Sequence, residues 1–203
     1  MYLIRLNLDP NHPSVRQSLT DRQDMHRNLM KAFQTPRRES TVLYRLIESR
    51  TSLQVILLSG DEPDQERWIR NGITLMEKKN VDSLMELYRE GAILHFTLLA
   101  HPSKKVKVEN AKHSKRAFLT SSEDQTKWLM HQGEKYGFEL LENFVDSNKK
   151  NILVGKKSGS FKLSVVDYNG ALRITDADLF WKSWKEGIGP EKSYGLGLML
   201  LRR

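Results

Sequence analysis

The stretch that most constrains this chain lies near its C-terminus: Gly187-Ile188-Gly189-Pro190-Glu191-Lys192-Ser193-Tyr194-Gly195-Leu196-Gly197, followed by the apolar run Leu198 to Leu201. Glycines at this density let the backbone take φ > 0 and let another backbone or a phosphate come close. Successive free N–H groups in such a loop can form an anion-binding concavity. A phosphate-bearing partner is the first functional reading. The structural reading is a helix C-cap at Gly187 and a tight turn into a last strand. Two better-known loops do not fit. A Walker A loop needs a glycine before its Lys-Ser pair and a helix after it. Here Glu191 precedes Lys192-Ser193, and a strand-like run follows. The dinucleotide pattern G-x-G-x-x-G fails because Lys192 takes the third glycine's place. A nucleotide-binding enzyme is disfavoured on both counts.

Composition narrows the partner. The chain has 203 residues, enough for one large domain or two small ones with a real core. Its formal charge is +8 and its pI about 9.6. Such a balance favours polyanions through electrostatic steering and counterion release. No apolar run approaches the roughly 18 residues that suggest a membrane helix, and no signal peptide is visible before Tyr2-Leu3-Ile4. The absence of cysteine excludes disulfides, thiolate metal sites and a cysteine nucleophile, and points to a cytoplasmic protein.

Read in order, Tyr2 to Leu8 alternates as a strand, and Asp9-Pro10 and His12-Pro13 break it. Thr20 and Gln23 form a capping-box pattern that opens a helix to about Phe33. Thr41 to Glu48 and Leu53 to Ser59 make a hairpin around Ser49 to Ser52. Gly60 to Asn80 is polar and weakly patterned. Val81 to Arg89 reads as a helix with Leu84, Leu87 and Tyr88 on one face, and Ile93 to Ala100 as a strand. That order is β-α-β-β-α-β. A basic connection, His101 to Arg116, suggests a domain boundary. Beyond it, Ala117 to Thr120 is a short strand and Ser122 to Tyr136 a helix with Ser122 and Gln125 as its capping box. Phe138 to Val145 is another strand. Phe161 to Val166 and Ala171 to Ile174 flank a turn at Asn169-Gly170. Asp176 to Glu186 is a helix with Leu179, Phe180 and Trp184 inward. The expectation is an α+β chain of two tandem ferredoxin-like domains, residues 1–100 and 117–203, joined by a linker over 101–116.

Six histidines are scattered without a ligand spacing such as H-E-x-x-H, so metal binding is disfavoured. His26 is distinguished by its helix. Met25, Leu29, Ala32 and Phe33 form a buried arc, and His26 sits at its edge near Arg22, Gln23 and Met30. Arg27 and Lys31 are a basic i,i+4 pair one turn round. A fixed, accessible imidazole beside cations suits RNA cleavage without a metal. The 2′-OH is an internal nucleophile, and a histidine can take its proton or protonate the 5′ leaving oxygen. Arg or Lys can stabilise the phosphorane-like charge. The plainer alternative is that His26 fills a polar–apolar boundary. The lysines of 147–162 lie between two strands and could enter a duplex groove as a hairpin, or be a solvated loop. Phe161, Trp181 and Trp184 read as core.

The motifs Met1-Tyr2-Leu3-x-Arg5-Leu6, Asp21-x-x-x-Met25-His26-x-x-Leu29-Met30-x-Ala32-Phe33 and Phe96-x-Leu98-x-Ala100-x-Pro102-x-Lys104, with the terminal glycine stretch, resemble the CasE family. These are the CRISPR repeat-processing endoribonucleases of type I-E systems. The resemblance implies two RRM-type domains, no cofactor, and metal-independent cleavage at the base of a repeat stem-loop. Its products would be a 2′,3′-cyclic phosphate and a 5′-OH. It implies a repeat RNA hairpin and other Cascade subunits as partners, and no membrane. His26 falls on the family's catalytic histidine, and Arg27 and Lys31 on the basic flank expected near the scissile phosphate, where they would stabilise the transition state as catalytic residues. Gln23, Lys104, Lys105, Lys149, Lys150, Lys156, Lys157, Lys162, Gly189, Lys192 and Ser193 are the expected RNA-binding residues. Gln23 stands where the family usually has tyrosine, three residues before the histidine. A glutamine can bind a phosphate or cap the helix, but it is no phenolic acid. The alternative reading is therefore a non-catalytic RNA-binding subunit of the same complex.

Overall fold

The computed structural model describes residues 1–34, 41–107, 115–141, 146–156 and 159–203. The first sheet contains β1 (Tyr2–Leu8), β2 (Val42–Glu48), β3 (Leu53–Ser59) and β4 (Ile73–Asn80), in the order β2-β3-β1-β4 with antiparallel neighbours. Helices α1 (Pro13–Thr20) and α2 (Arg22–Met30) follow β1, and α3 (Gln65–Ile69) joins β3 to β4. Alternation drives this packing. Ile4, Leu6 and Leu8 of β1, with Val55 and Leu57 of β3, are buried against Met25 and Leu29 of α2. The other face sends Leu43 and Leu58 into the core of the second unit, so the two units share one apolar seam.

The second unit runs through β5 (Ile93–Ala100), α5 (Ser122–Tyr136), β8 (Phe138–Leu140), β10 (Gly159–Ile174), α6 (Ala177–Glu186) and β11 (Met199–Arg202). Its sheet order is β11-β5-β10-β8, the same arrangement as the first. Two ribbons are added. β6 (Ser103–Val106) pairs with β7 (Lys115–Phe118), and β9 (Asp146–Lys156) pairs along β10. A short helix, α4 (Asp82–Leu87), joins the two units. The fold is the expected tandem of ferredoxin-like units.

Several expectations change in detail. β5 was expected to close the first sheet, but it pairs with β10 and β11 in the second. The first sheet is closed instead by β4, inside the stretch that reads as polar and weakly patterned. That strand lies at the sheet's edge and carries Glu77, Lys78 and Lys79, so its alternation is weak. The change of sheet thus falls between β4 and β5, ahead of the basic segment 101–116. Asn169-Gly170 is no turn. β10 passes straight through it, because β9 pairs up to Asn169 while β5 takes over from Val166 to Arg173. Tyr168, fully buried between them, donates its hydroxyl to the Gln125 carbonyl at 3.0 Å. β1 ends at Leu8 ahead of Asp9-Pro10, and Pro13 opens α1, as proline does at a first helical turn. α2 is capped by Asp21 instead of Thr20, whose hydroxyl donates back to the Gln17 carbonyl. α5 likewise takes Ser121 as its cap. Leu84, Leu87 and Leu179 are exposed, whereas Trp181 and Trp184 are buried.

Candidate functional site

α2 carries the candidate histidine. Asp21 accepts a hydrogen bond from the Gln23 amide at 2.8 Å and fixes the helix start. Met25 and Leu29 anchor one face in the core, and this leaves His26 at the edge, only 9% exposed. Its ring meets the ring of Tyr44 edge-on, with centroids 6.2 Å apart. Tyr44 comes from β2 and is wholly buried. Its hydroxyl oxygen lies 3.0 Å from the Arg22 carbonyl and 3.2 Å from the Ser193 carbonyl, so two backbone carbonyls share its one proton. Burial pushes this phenol well above the usual tyrosine range, with Arg22 pulling the other way and Asp21 and Tyr194 adding to the rise.

The glycine stretch is the opposing wall. Gly187 caps α6 through its amide on the Ser183 carbonyl at 2.7 Å. The Ile188 amide then donates to the Gly197 carbonyl, and the Gly197 amide to the Leu99 carbonyl, each at 2.9 Å. Gly197 has φ of 84°, and a Cβ there would lie 2.8 Å from the Ile188 carbonyl oxygen. Only glycine fits this crossing. A single 3-10 turn, Lys192–Tyr194, leads off from Glu191, which takes a left-handed φ of 63°. The turn packs against α2 and β2. Lys192 donates through Nζ to the Glu186 carbonyl at 2.6 Å. Burial lowers the pKa of this ammonium; Glu186 opposes the change and Lys135 adds to it.

Between these walls lies a hollow of about 200 Å³ lined by His26, Met30, Thr41, Lys185, Lys192 and Ser193, among others. It places an imidazole, two ammonium-bearing side chains, a serine and the acidic residue Glu186 around one small volume. An imidazole can move a proton there, and lysines can meet a developing anionic charge. Among the described residues, no three His, Asp or Glu side chains gather as a metal site would need.

A family model described as CRISPR associated protein matches residues 1–203. The chain belongs to this family. It is 27% identical over 216 residues to the CRISPR-associated endoribonuclease Cse3 of Thermus thermophilus, covering 98% of each chain. The fold matches Thermus thermophilus Cse3 bound to an RNA representing a pre-cleavage complex, with TM-score 0.84, 25% identity and coverage of 100% and 98%. The CRISPR-associated protein Cas6e from Escherichia coli shares the fold at TM-score 0.75 and 23% identity, with 99% and 98% covered. The resemblance read from the sequence is borne out by these relatives.

Of the residues singled out in this family member, the hollow brings together His26, Lys192 and Ser193. Arg27 on α2 and Lys31, the residue that caps its C-terminal end, are outside its lining. Arg27 pairs with Asp24 and lies 3.7 Å from Asp21. Lys31 donates to Asn28 at 2.8 Å and to Asn71 at 3.2 Å. β9 packs against α1 and α2, so the lysine hairpin adjoins the histidine helix. On it, Lys149 lies 5.4 Å over the Phe118 ring and Lys150 pairs with Asp167 at 2.8 Å. Lys162 is exposed on β10. Lys157 and the side chain of Lys156 lie outside the described residues. Lys104 and Lys105 are exposed on β6. Gly189 is a packing position, since a Cβ there would meet the Trp128 ring at 3.1 Å. Lys185 and Tyr44 were not singled out. Each lies within an ordinary amphipathic pattern, and nothing local in the sequence marks it. No helix among the described residues is long and apolar enough to cross a membrane.

Proposed function

We propose that this chain is an endoribonuclease of CRISPR repeat RNA. It cuts at the base of the repeat stem-loop and then holds the guide as a subunit of a Cascade-type surveillance complex. The observation that carries this reading is the hollow in which His26 of the first unit faces Lys192 of the second. Support comes from the Thermus thermophilus relative, named an endoribonuclease and solved with RNA representing a pre-cleavage complex. A chain of the same fold also occurs in an RNA-guided surveillance complex, at TM-score 0.71.

The chemistry is metal-independent. The 2′-OH at the cut site attacks the adjacent phosphorus, and the P–O5′ bond breaks. A 2′,3′-cyclic phosphate and a 5′-OH result. His26 takes the 2′-OH proton as base or supplies a proton to O5′ as acid. Lys192 meets the charge on the phosphorane-like transition state from across the hollow, and Lys185 adds a second cation. Arg27 on α2 and Lys31 at its C-terminal end engage the flanking phosphates. The hairpin lysines Lys149, Lys150 and Lys162 grip the RNA stem. Gln23, three residues before His26 on α2, binds phosphate through its side-chain amide, without the phenol usual there.

The test is cleavage of the organism's own repeat RNA in EDTA, resolved on a denaturing gel. A single cut at the stem base is expected, and a 2′-deoxy substitution at that nucleotide should abolish it. His26→Ala should lose the cut and retain binding. RNA that shifts on a native gel but stays intact with the wild-type protein would replace this reading with that of a non-catalytic binding subunit.

A further inference from the structure

We propose that Tyr44 is a positioning residue for the cleavage step, holding the His26 helix and the glycine loop in one fixed relation. This inference rests on the reading of His26 as the proton-transfer group. Tyr44 belongs to β2, on the face turned toward the helices, and has no exposed surface. Its hydroxyl reaches two carbonyls that no regular element brings together. One is that of Arg22, the first residue of α2, at 3.0 Å. The other is that of Ser193, inside the 3-10 turn, at 3.2 Å. A phenol has one proton to donate, so these carbonyls share a single donor. The half-buried Ser193 carbonyl gains from it a partner outside its own turn.

The ring does a second job. It stands edge-on to His26 with centroids 6.2 Å apart, so it backs the imidazole from beneath. On its other side the loop lies against it. A Cβ on Gly195, where φ is 80°, would fall 2.8 Å from Tyr44 Cε2. One side chain therefore touches the proton-transfer helix, the imidazole and the loop that brings Lys192. Ser193 and His26 both line the hollow, whereas Tyr44 lies behind it.

That placement also decides what Tyr44 does not do. Its proton is engaged by backbone, it is sealed from solvent, and burial disfavours the phenolate. It does not supply the phenol that Gln23 lacks. Its effect reaches the RNA only through the geometry of other groups. Proton transfer requires heavy atoms about 2.6–3.2 Å apart. A misplacement of about 1 Å can cost about 10²-fold in rate. A loop and a helix free to drift apart would then lose rate before affinity.

Tyr44→Phe tests this, because it keeps the ring and removes the donor. Single-turnover cleavage of the repeat hairpin is measured over a range of protein concentrations. Binding is measured with the same hairpin carrying a 2′-deoxy cut site. The expected result is a fall of about tenfold in the saturating rate constant, with half-saturation and Kd changed by less than about twofold. The His26 Cε1–H proton resonance, assigned through its loss in His26→Ala, should move in Tyr44→Phe. Should Tyr44→Phe fail to fold, Gly195→Ala takes its place, pressing the loop against an intact Tyr44, with the same split expected. A wild-type rate at saturation would overturn the proposal. So would equal losses of rate and affinity. His26→Ala separates the two failures. If it cleaves like wild type, the proton-transfer reading itself falls. If it is inactive while Tyr44→Phe is fully active, only the positioning role falls.

Discussion

The glycine loop and the lysine hairpin flank the same helix and are built in opposite ways. The loop is tied through its backbone, with Ile188 bonded to Gly197, Gly197 to Leu99, and Gly187 and Gly195 pressed against Leu43 and Tyr44. The hairpin presents exposed lysines on two long strands, and Gly159 at its end has open space where a Cβ would stand. A tied backbone fixes where groups stand, and exposed ammonium groups attract charge at a distance. The first should govern rate and the second affinity.

His26→Ala is the largest expected effect and defines the rate side of the comparison. Losing a general acid or base costs about 10²–10⁴-fold. The saturating rate constant should drop by that amount with Kd for 2′-deoxy RNA unchanged. Gly197→Ala is next. It places a Cβ 2.8 Å from the Ile188 carbonyl oxygen in a left-handed backbone, a strain of about 1–3 kcal/mol. Chemical denaturation should show that loss, and cleavage should slow more than binding weakens. If binding weakens first, the loop is an affinity element and the comparison breaks.

The triple change of Lys149, Lys150 and Lys162 to Ala should act the other way. Each phosphate contact contributes about 0.9 to the salt slope of duplex binding. The slope of log K against log salt should therefore fall by about 2–3 with the saturating rate kept. Lys150 also pairs with Asp167, but Arg45 holds the same carboxylate at 2.7 Å, so the fold survives the change. A lowered saturating rate would mean that the hairpin positions the scissile bond.

The comparison explains what could be read in advance. Glycine density near the C-terminus revealed a loop, because only a special backbone needs such residues. The period of Met25, Leu29 and Ala32 fixed which side of α2 is buried and left His26 at its edge. The double β-α-β-β-α-β order was legible too, although its seam was placed after Ala100 when sheet pairing changes before Ile93. That error came from β4, an edge strand whose charges hide its period. The Asn169-Gly170 signal failed for a related reason: local turn preference lost to pairing with two different strands. Tyr44 and Lys185 carry no local signal, because the Tyr44 bond to Ser193 and the place of Lys185 in the hollow's lining exist only once the two units pack. Arg27 and Lys31 were visible as a basic pair, yet they pair with Asp24 and Asn71 and do not line the hollow.

The smallest expected effect probes the loop's one half-buried cation. Lys192 has a lowered pKa, chiefly through burial, so the native state releases its proton more readily than the unfolded chain. Between the native pKa and the ordinary lysine range, the unfolded chain binds more protons, and stability rises with pH. Below that window the charged ammonium is held at a cost. Lys192→Met removes the cost together with the charge. The Tm of the variant minus that of wild type should therefore decrease as pH rises into the window. The ammonium is only half withdrawn from solvent, so the change should be small, about 1–2 °C for a chain of this size. Cleavage should move far more, because Lys192 lines the hollow together with His26. A variant that keeps its cleavage rate while showing this stability trend would make Lys192 a structural cation and leave Lys185 as the partner of His26.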